Sequence, residues 1–325
     1  MTKPFKTKIT EMLDIKYPIL CGGMQWVSRA EFVAAVCNAG CMGFITAESL
    51  ERPEDLRDEI RKARTLTEKP FGINLSMVPE FGKPERTLQF CDIICEEGIK
   101  VVETAGRSPE PLMEKLKKGD VKIIHKLTTV RHAEKAQRLG VDAVTILGWG
   151  SGGHIGTDNI ASFIKIPLAV KNLDIPVIAG GGVATGAGFL AALAMGAEAV
   201  LMGTAFFVTN EAPVHPDIKQ KFIQASENDT TLVMNTIHNP MRVLKNRLSE
   251  DVLALEAKGA TLEQVVAEMS GSKCKTAYKS GDIEISPHVC GQVVGLIDEV
   301  KPVKKLIDEI ISDAEVLMKR LNNMS

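Results

Sequence analysis

The chain has 325 residues, more than the roughly 250 of a closed βα barrel, so it can hold one such domain with an appendage or two ordinary domains. Hydrophobic residues at 45% and charged residues at 25% are globular averages, which excludes a disordered or fibrous class. A formal net charge of -2 without a dense Lys/Arg run argues against nucleic acid or an anionic membrane as partner and leaves a small-molecule substrate.

In chain order, short β-rich runs alternate with helical segments: PILCGGM from Pro18, MGFITA from Met42, PFGINLS from Pro70, VVETA from Val101, KIIHKL from Lys122, AVTILG from Ala143, PVIAGG from Pro176 and AVLMGT from Ala199. The segments between them carry helix patterning. Leu56, Ile60 and Ala63 fall at i, i+4 and i+7 among charged residues, and Phe32/Val33 repeat at Val36/Cys37. Gly40, Gly98, Gly140 and Gly196 stand where helices need a left-handed C-cap. Eight regularly spaced βα units predict an α/β fold of the (β/α)8 TIM barrel type; periodicity alone also permits a doubly wound sheet. The long segment GWGSGGHIGTDNIAS follows the sixth strand, and extra length at the C-terminal end of a barrel strand is where active sites are built.

After Asn210 the pattern changes to helices without regular strands. The expected division is a barrel over 1–212 and a mainly helical subdomain over 213–325 that packs on it. In the last helix Val303, Leu306, Ile307, Ile310, Ala314, Leu317, Met318 and Leu321 form an apolar stripe, expected to pack on the barrel or on a second copy in a homodimer. The N-terminus MTKPFKTKIT lacks the apolar region of a signal peptide and no apolar run reaches the 18 or so residues of a membrane span, so a cytoplasmic location is expected. Seven cysteines in such a chain do not suggest a disulfide framework. The i,i+4 pairs Cys37/Cys41 and Cys91/Cys95 read as small buried apolar residues rather than metal ligands.

Two adjacent loops carry the strongest chemistry. AGGGVATGAG runs from Ala179 to Gly188, and AMGAEAVLMGT from Ala194 to Thr204. Glycines let backbone N–H groups approach an anion, and a following helix N-terminus adds partial positive charge, so Gly180, Gly181, Gly182, Gly203 and Thr204 describe a phosphate cup at the recurrent phosphate position of barrels. Gly148-Trp149-Gly150-Ser151-Gly152-Gly153 fits GxGxxG, but His154-Ile155-Gly156-Thr157 continues without the helix that a dinucleotide fingerprint needs.

These loops, with GGMQWV at Gly22–Val27, FGINLS at Phe71–Ser76, HKLTTVRHA at His125–Ala133 and SGGHIG at Ser151–Gly156, resemble the nitronate monooxygenase (2-nitropropane dioxygenase) family of FMN-containing barrels over nearly the whole chain. PVHPDIK at Pro213 and SEDVLALEA at Ser249 look closest to its bacterial NADH:quinone reductase branch. The resemblance implies an FMN oxidoreductase with NADH or NADPH as donor and a quinone or similar acceptor. A nitronate monooxygenase using O2 and a flavin-dependent enoyl-ACP reductase are the alternatives. It also implies that Gly22, Gly23 and Met24 lie against the flavin ring, that Asn74 and Ser76 approach its polar edge, that Lys126 sits near flavin N1, and that Gly153 and Ala179 join the cofactor set. His154 would be the catalytic residue on the substrate side, able to donate a hydrogen bond or exchange a proton near neutral pH. An enzyme of the IMP dehydrogenase kind shares AGGG and ALAMGAEAVLMG but needs a cysteine in the loop after the sixth strand, where this chain has His154.

Overall fold

The computed structural model describes residues 5–77 and 84–324. Eight strands, each hydrogen-bonded to the next, close into a barrel: β1 (Ile19–Cys21), β2 (Met42–Thr46), β3 (Gly72–Met77), β4 (Val101–Gly106), β5 (Lys122–Leu127), β6 (Ala143–Leu147) and, after the short β7 (Gly153–His154) that lies outside the barrel sheet, β8 (Val177–Gly180) and β9 (Ala199–Met202). These are the eight predicted runs. The chain is therefore a (β/α)8 TIM barrel. The predicted helix faces are also present, with Leu56, Ile60 and Ala63 on Pro53–Leu66 fully buried. Gly40, Gly98, Gly140 and Gly196 all have positive φ, between 66° and 94°, as left-handed caps require.

The chain divides into two compact units, one of residues 1–146, 163–180 and 191–201 and the other of 147–162, 181–190 and 202–325. In the first unit the barrel interior is filled from below. Ile9, Leu13 and Ile15, on and just after the helix Lys8–Leu13, pack with Leu20, Met42, Phe44, Val101, Ile124, Ala143, Ile178 and Ala199 in one buried cluster.

The second unit corrects the expectation of a tail without strands. β10 (Thr230–Val233) and β11 (Met241–Leu244) pair antiparallel, and β11 also pairs with β7 (Gly153–His154), so a three-stranded sheet joins the tail to the glycine-rich loop. The last helix, Val303–Asn322, uses its apolar stripe unevenly: Val303, Leu306, Ile307, Ile310 and Ala314 are buried, whereas Met318 and Leu321 are exposed. Its close approach is set by Gly186, where a Cβ would stand 2.5 Å from the Ala314 nitrogen. All seven cysteines are free; six are buried and Cys95 is half-buried. Among the described residues no helix is long and apolar enough to cross a membrane.

Candidate functional site

Side chains alternate faces along a strand, so the residue two places beyond each interior apolar position also points into the barrel. Reading forward from the buried cluster, Phe44 leads to Thr46, Val101 to Glu103, Ile124 to Lys126, Ala143 to Thr145 and Ile178 to Gly180. Asn74 enters the same layer as the Cα partner of both Thr46 and Glu103. Gly22 follows β1 with Leu201 against it, 3.0 Å from where a Cβ would be. The interior thus changes from apolar to polar at the carboxyl ends of the strands. Gly22, Asn74, Lys126 and Gly180 are residues that the sequence reading singles out; Thr46, Glu103 and Thr145 are not.

Glu103 is the hub of this layer. Its carboxylate is wholly buried, and one oxygen, Oε2, accepts from the Gly23 backbone N–H at 3.2 Å, Asn74 Nδ2 at 2.5 Å and Lys126 Nζ at 3.1 Å. Gly23 must be glycine for this: a Cβ would fall 2.3 Å from Asn74 Cγ. Ser76 donates its hydroxyl to Asn74 Oδ1 at 3.3 Å and its backbone N–H to Glu48 Oε1 at 2.7 Å. Gly23, Asn74, Ser76 and Lys126 are therefore brought together around Glu103. Met24 lies beside them in sequence, its N–H bound to Ser28 Oγ at 3.0 Å. Lys126 is not the isolated cation that a strand-end lysine suggests; it is paired, with 17% of its side chain exposed. Ala179 alternates with Ile178 and Gly180, so its methyl points away from the barrel interior.

Four buried oxygens in this unit have no hydrogen-bond partner: Thr46 Oγ1, Glu103 Oε1, Thr145 Oγ1 and Glu48 Oε2. Buried polar atoms are ordinarily paired, so these four oxygens are acceptors left available at the end of the barrel. Burial pushes the Glu48 carboxyl up to about 7, against the Ser76 N–H and the charges of Arg86 and Lys126, which favour ionisation. His125 is engaged elsewhere, with Nδ1 2.8 Å from Thr104 Oγ1, and burial lowers it to about 4.

In the second unit Gly181 and Gly182 have φ of 75° and 78°. Gly181 packs on Ser151, whose Oγ would be 2.2 Å from a Cβ there, whereas Cβ atoms at Gly182 and Gly203 would meet nothing within 4 Å. Thr204 Oγ1 accepts from the Gly291 N–H at 3.1 Å. A strap at residues 290–292, which no local sequence pattern places here, lies on the glycine-rich loop: Gln292 N–H donates to Gly150 O at 3.0 Å, and Gly152 leaves only 2.8 Å between its would-be Cβ and the Gly291 nitrogen.

His154 is exposed, and its loop is tied into a sheet. Gly153 and His154 pair with Arg242 and Met241 across the sheet. Arg242 is buried and donates to Trp149 O at 3.2 Å and Thr230 Oγ1 at 3.1 Å, with its guanidinium 5.4 Å from the centre of the Trp149 ring. The GxGxxG run thus ends in a strand, not a helix.

The profile of the family described as nitronate monooxygenase matches residues 6–313. The chain is 32% identical to the (3aS,4S,5R,7aS)-5-hydroxy-7a-methyl-1-oxo-octahydro-1H-indene-4-carboxyl-CoA dehydrogenase of Rhodococcus jostii RHA1, over 95% of this chain and 96% of that protein. It is 28% identical to a probable nitronate monooxygenase of Staphylococcus aureus, over 96% and 98%. Among solved structures, FabK from Thermotoga maritima superposes with a TM-score of 0.90 at 34% identity, covering 98% of this chain and 99% of that one.

Proposed function

The chain belongs to the nitronate monooxygenase family of flavin oxidoreductases, and from that premise we propose that it binds FMN and passes reducing equivalents from NADH or NADPH to a quinone or similar small-molecule acceptor. The observation that carries the flavin reading is the polar layer at the strand ends, where Gly23, Asn74 and Lys126 surround Glu103 and three buried oxygens of Thr46, Glu103 and Thr145 stand without partners. Such a layer suits the polar edge of a heterocycle that both donates and accepts hydrogen bonds.

The second unit, taken by itself, has features that suit a phosphate. Gly182 and Gly203 leave open space on the Cβ side, as a phosphate cradle needs, and Gly180, Gly181 and Thr204 complete the set assigned to it. Bound FMN would supply two-electron redox chemistry that no side chain here supplies. The protein's own part is to hold the phosphate on backbone amides, fix the polar edge of the ring with Asn74, Ser76 and Lys126, and present His154 to the substrate as a hydrogen-bond donor or proton-transfer group. Gly22, Met24, Gly153 and Ala179 would contribute backbone or apolar surface beside the ring.

A second reading has its own support. Identity to the carboxyl-CoA dehydrogenase and to FabK, 32% and 34%, exceeds the 28% to the nitronate monooxygenases. A carbon–carbon bond next to a thioester carbonyl is therefore the alternative redox partner. Anaerobic mixing of the FMN-loaded protein with NADH, NADPH or an alkyl nitronate, followed by addition of a quinone or an enoyl thioester, tests these readings. Bleaching by a pyridine nucleotide and recovery by quinone supports the first, recovery by the enoyl thioester alone supports the second, and bleaching by nitronate alone rejects both.

A further inference from the structure

We propose that Glu103 is a positioning residue of the site: it holds Gly23, Asn74 and Lys126 in place and cancels the charge that Lys126 would otherwise present to the cofactor. This rests on the FMN reading above and deepens it.

Three donors from three different elements converge on one carboxylate oxygen of Glu103, the loop after β1 through Gly23, β3 through Asn74 and β5 through Lys126. A wholly buried carboxylate is costly unless a counter-charge and hydrogen bonds satisfy it, and Lys126 at 3.1 Å is that counter-charge. The strand register makes the meeting obligatory. Asn74 and Glu103 are direct Cα partners across β3 and β4, while Lys126 is the partner of Ala105 and reaches back by one pleat. Oε1 of Glu103, buried and without a partner, is left for whatever occupies the layer.

The pair as a unit is nearly neutral, so a ligand that gains negative charge on reduction is stabilised far less than it would be by a bare ammonium. Removing only the carboxylate charge should favour the reduced ligand, and removing only the ammonium should disfavour it. A residue that merely filled space would move neither.

The test is the two-electron potential of bound FMN in four proteins: wild type, Glu103→Gln, Lys126→Met and the double variant. Glutamine keeps the shape of Glu103 and an oxygen for Gly23 and Asn74. Glu103→Gln should raise the reduced-to-oxidised ratio at fixed potential by tenfold or more, about 30 mV for a two-electron couple, and Lys126→Met should lower it similarly. The double variant should return to within about threefold of wild type, since it removes both charges. An unchanged potential in Glu103→Gln, or a double variant as low as Lys126→Met, overturns the proposal while leaving FMN binding intact. If Glu103→Gln does not fold, the double variant against Lys126→Met alone decides the matter. Absence of FMN from the wild type would reject the functional reading itself, a failure that the potentials cannot mimic.

Discussion

Lys126 Nζ lies 3.1 Å from Glu103 Oε2, and the carboxylate has no exposure to solvent. Breaking one side of such a pair strands a buried charge, whereas removing both sides does not. Lys126→Met should therefore lose about 3–5 kcal/mol of stability, and the Glu103→Gln/Lys126→Met double variant clearly less than the sum of the two single variants. Denaturant unfolding of the flavin-free chains measures this, and strictly additive losses would show that the two charges are not coupled.

The phosphate assignment is best tested at Gly203. At Gly181 a side chain would collide with Ser151 and strain a φ of 75°, so loss of cofactor there would be ambiguous. Gly203 has a φ of -124° and open space, so Gly203→Asp adds a carboxylate without steric conflict. We expect a stability change within about 0.5 kcal/mol and at least a hundredfold weaker FMN binding. Wild-type affinity in that variant would move the phosphate elsewhere.

Stability should respond to pH with two opposite signs. Glu48 is raised from 4.5 to about 7, so the folded chain keeps a proton that the unfolded chain releases. Its contribution is complete below about pH 4.5 and lost as pH rises through 7, roughly 3 kcal/mol in all by linkage. His125 and His288 are lowered from 6.5 to about 4 by burial, so their contribution is present above pH 6.5 and lost as pH falls through 4. Glu48→Gln should then flatten the fall between pH 5 and 8 and leave the acid limb unchanged. An identical slope in the variant would mean that Glu48 titrates normally.

His154 is exposed on a short strand held by Met241 and Arg242 rather than on a mobile loop, so removing its ring should not disturb cofactor binding. His154→Ala should keep FMN and be reduced by pyridine nucleotide within about tenfold of wild type, because a neutral hydrogen bond is worth around 1 kcal/mol. Transfer to the acceptor should slow, and any nitronate oxidation should fall by 100-fold or more, as expected for loss of a proton-handling group. Stopped-flow rates for the separate half-reactions decide it; unchanged rates throughout would make His154 an ordinary surface residue.

The barrel was legible because buried parallel strands read as apolar runs and because helix-ending glycines mark four of the eight units. Asn74, Lys126 and Gly180 stand out in the sequence through their motifs, and the structure places all three on barrel strands. Glu103 was not, since one acidic residue in VVETA looks the same whether it faces solvent or the interior. Period-two counting from Val101, aligned with Asn74 and Lys126, was the available clue. The 290–292 strap and the β10–β11 pairing depend on contacts between segments far apart in sequence, and no local pattern encodes where such segments land. His154 was legible as a residue, but its rigid setting came from Arg242, nearly ninety positions away.

FMN binding is the proposal on which the roles of the residues around Glu103 and, separately, of Gly182 and Gly203 rest. Its most direct measurement is chromatographic identification of the cofactor released on denaturing the purified protein. FMN is expected, non-covalently held and close to stoichiometric with the chain after reconstitution; release of FAD, or a chain that takes up no flavin when FMN is supplied in excess, would overturn the proposal.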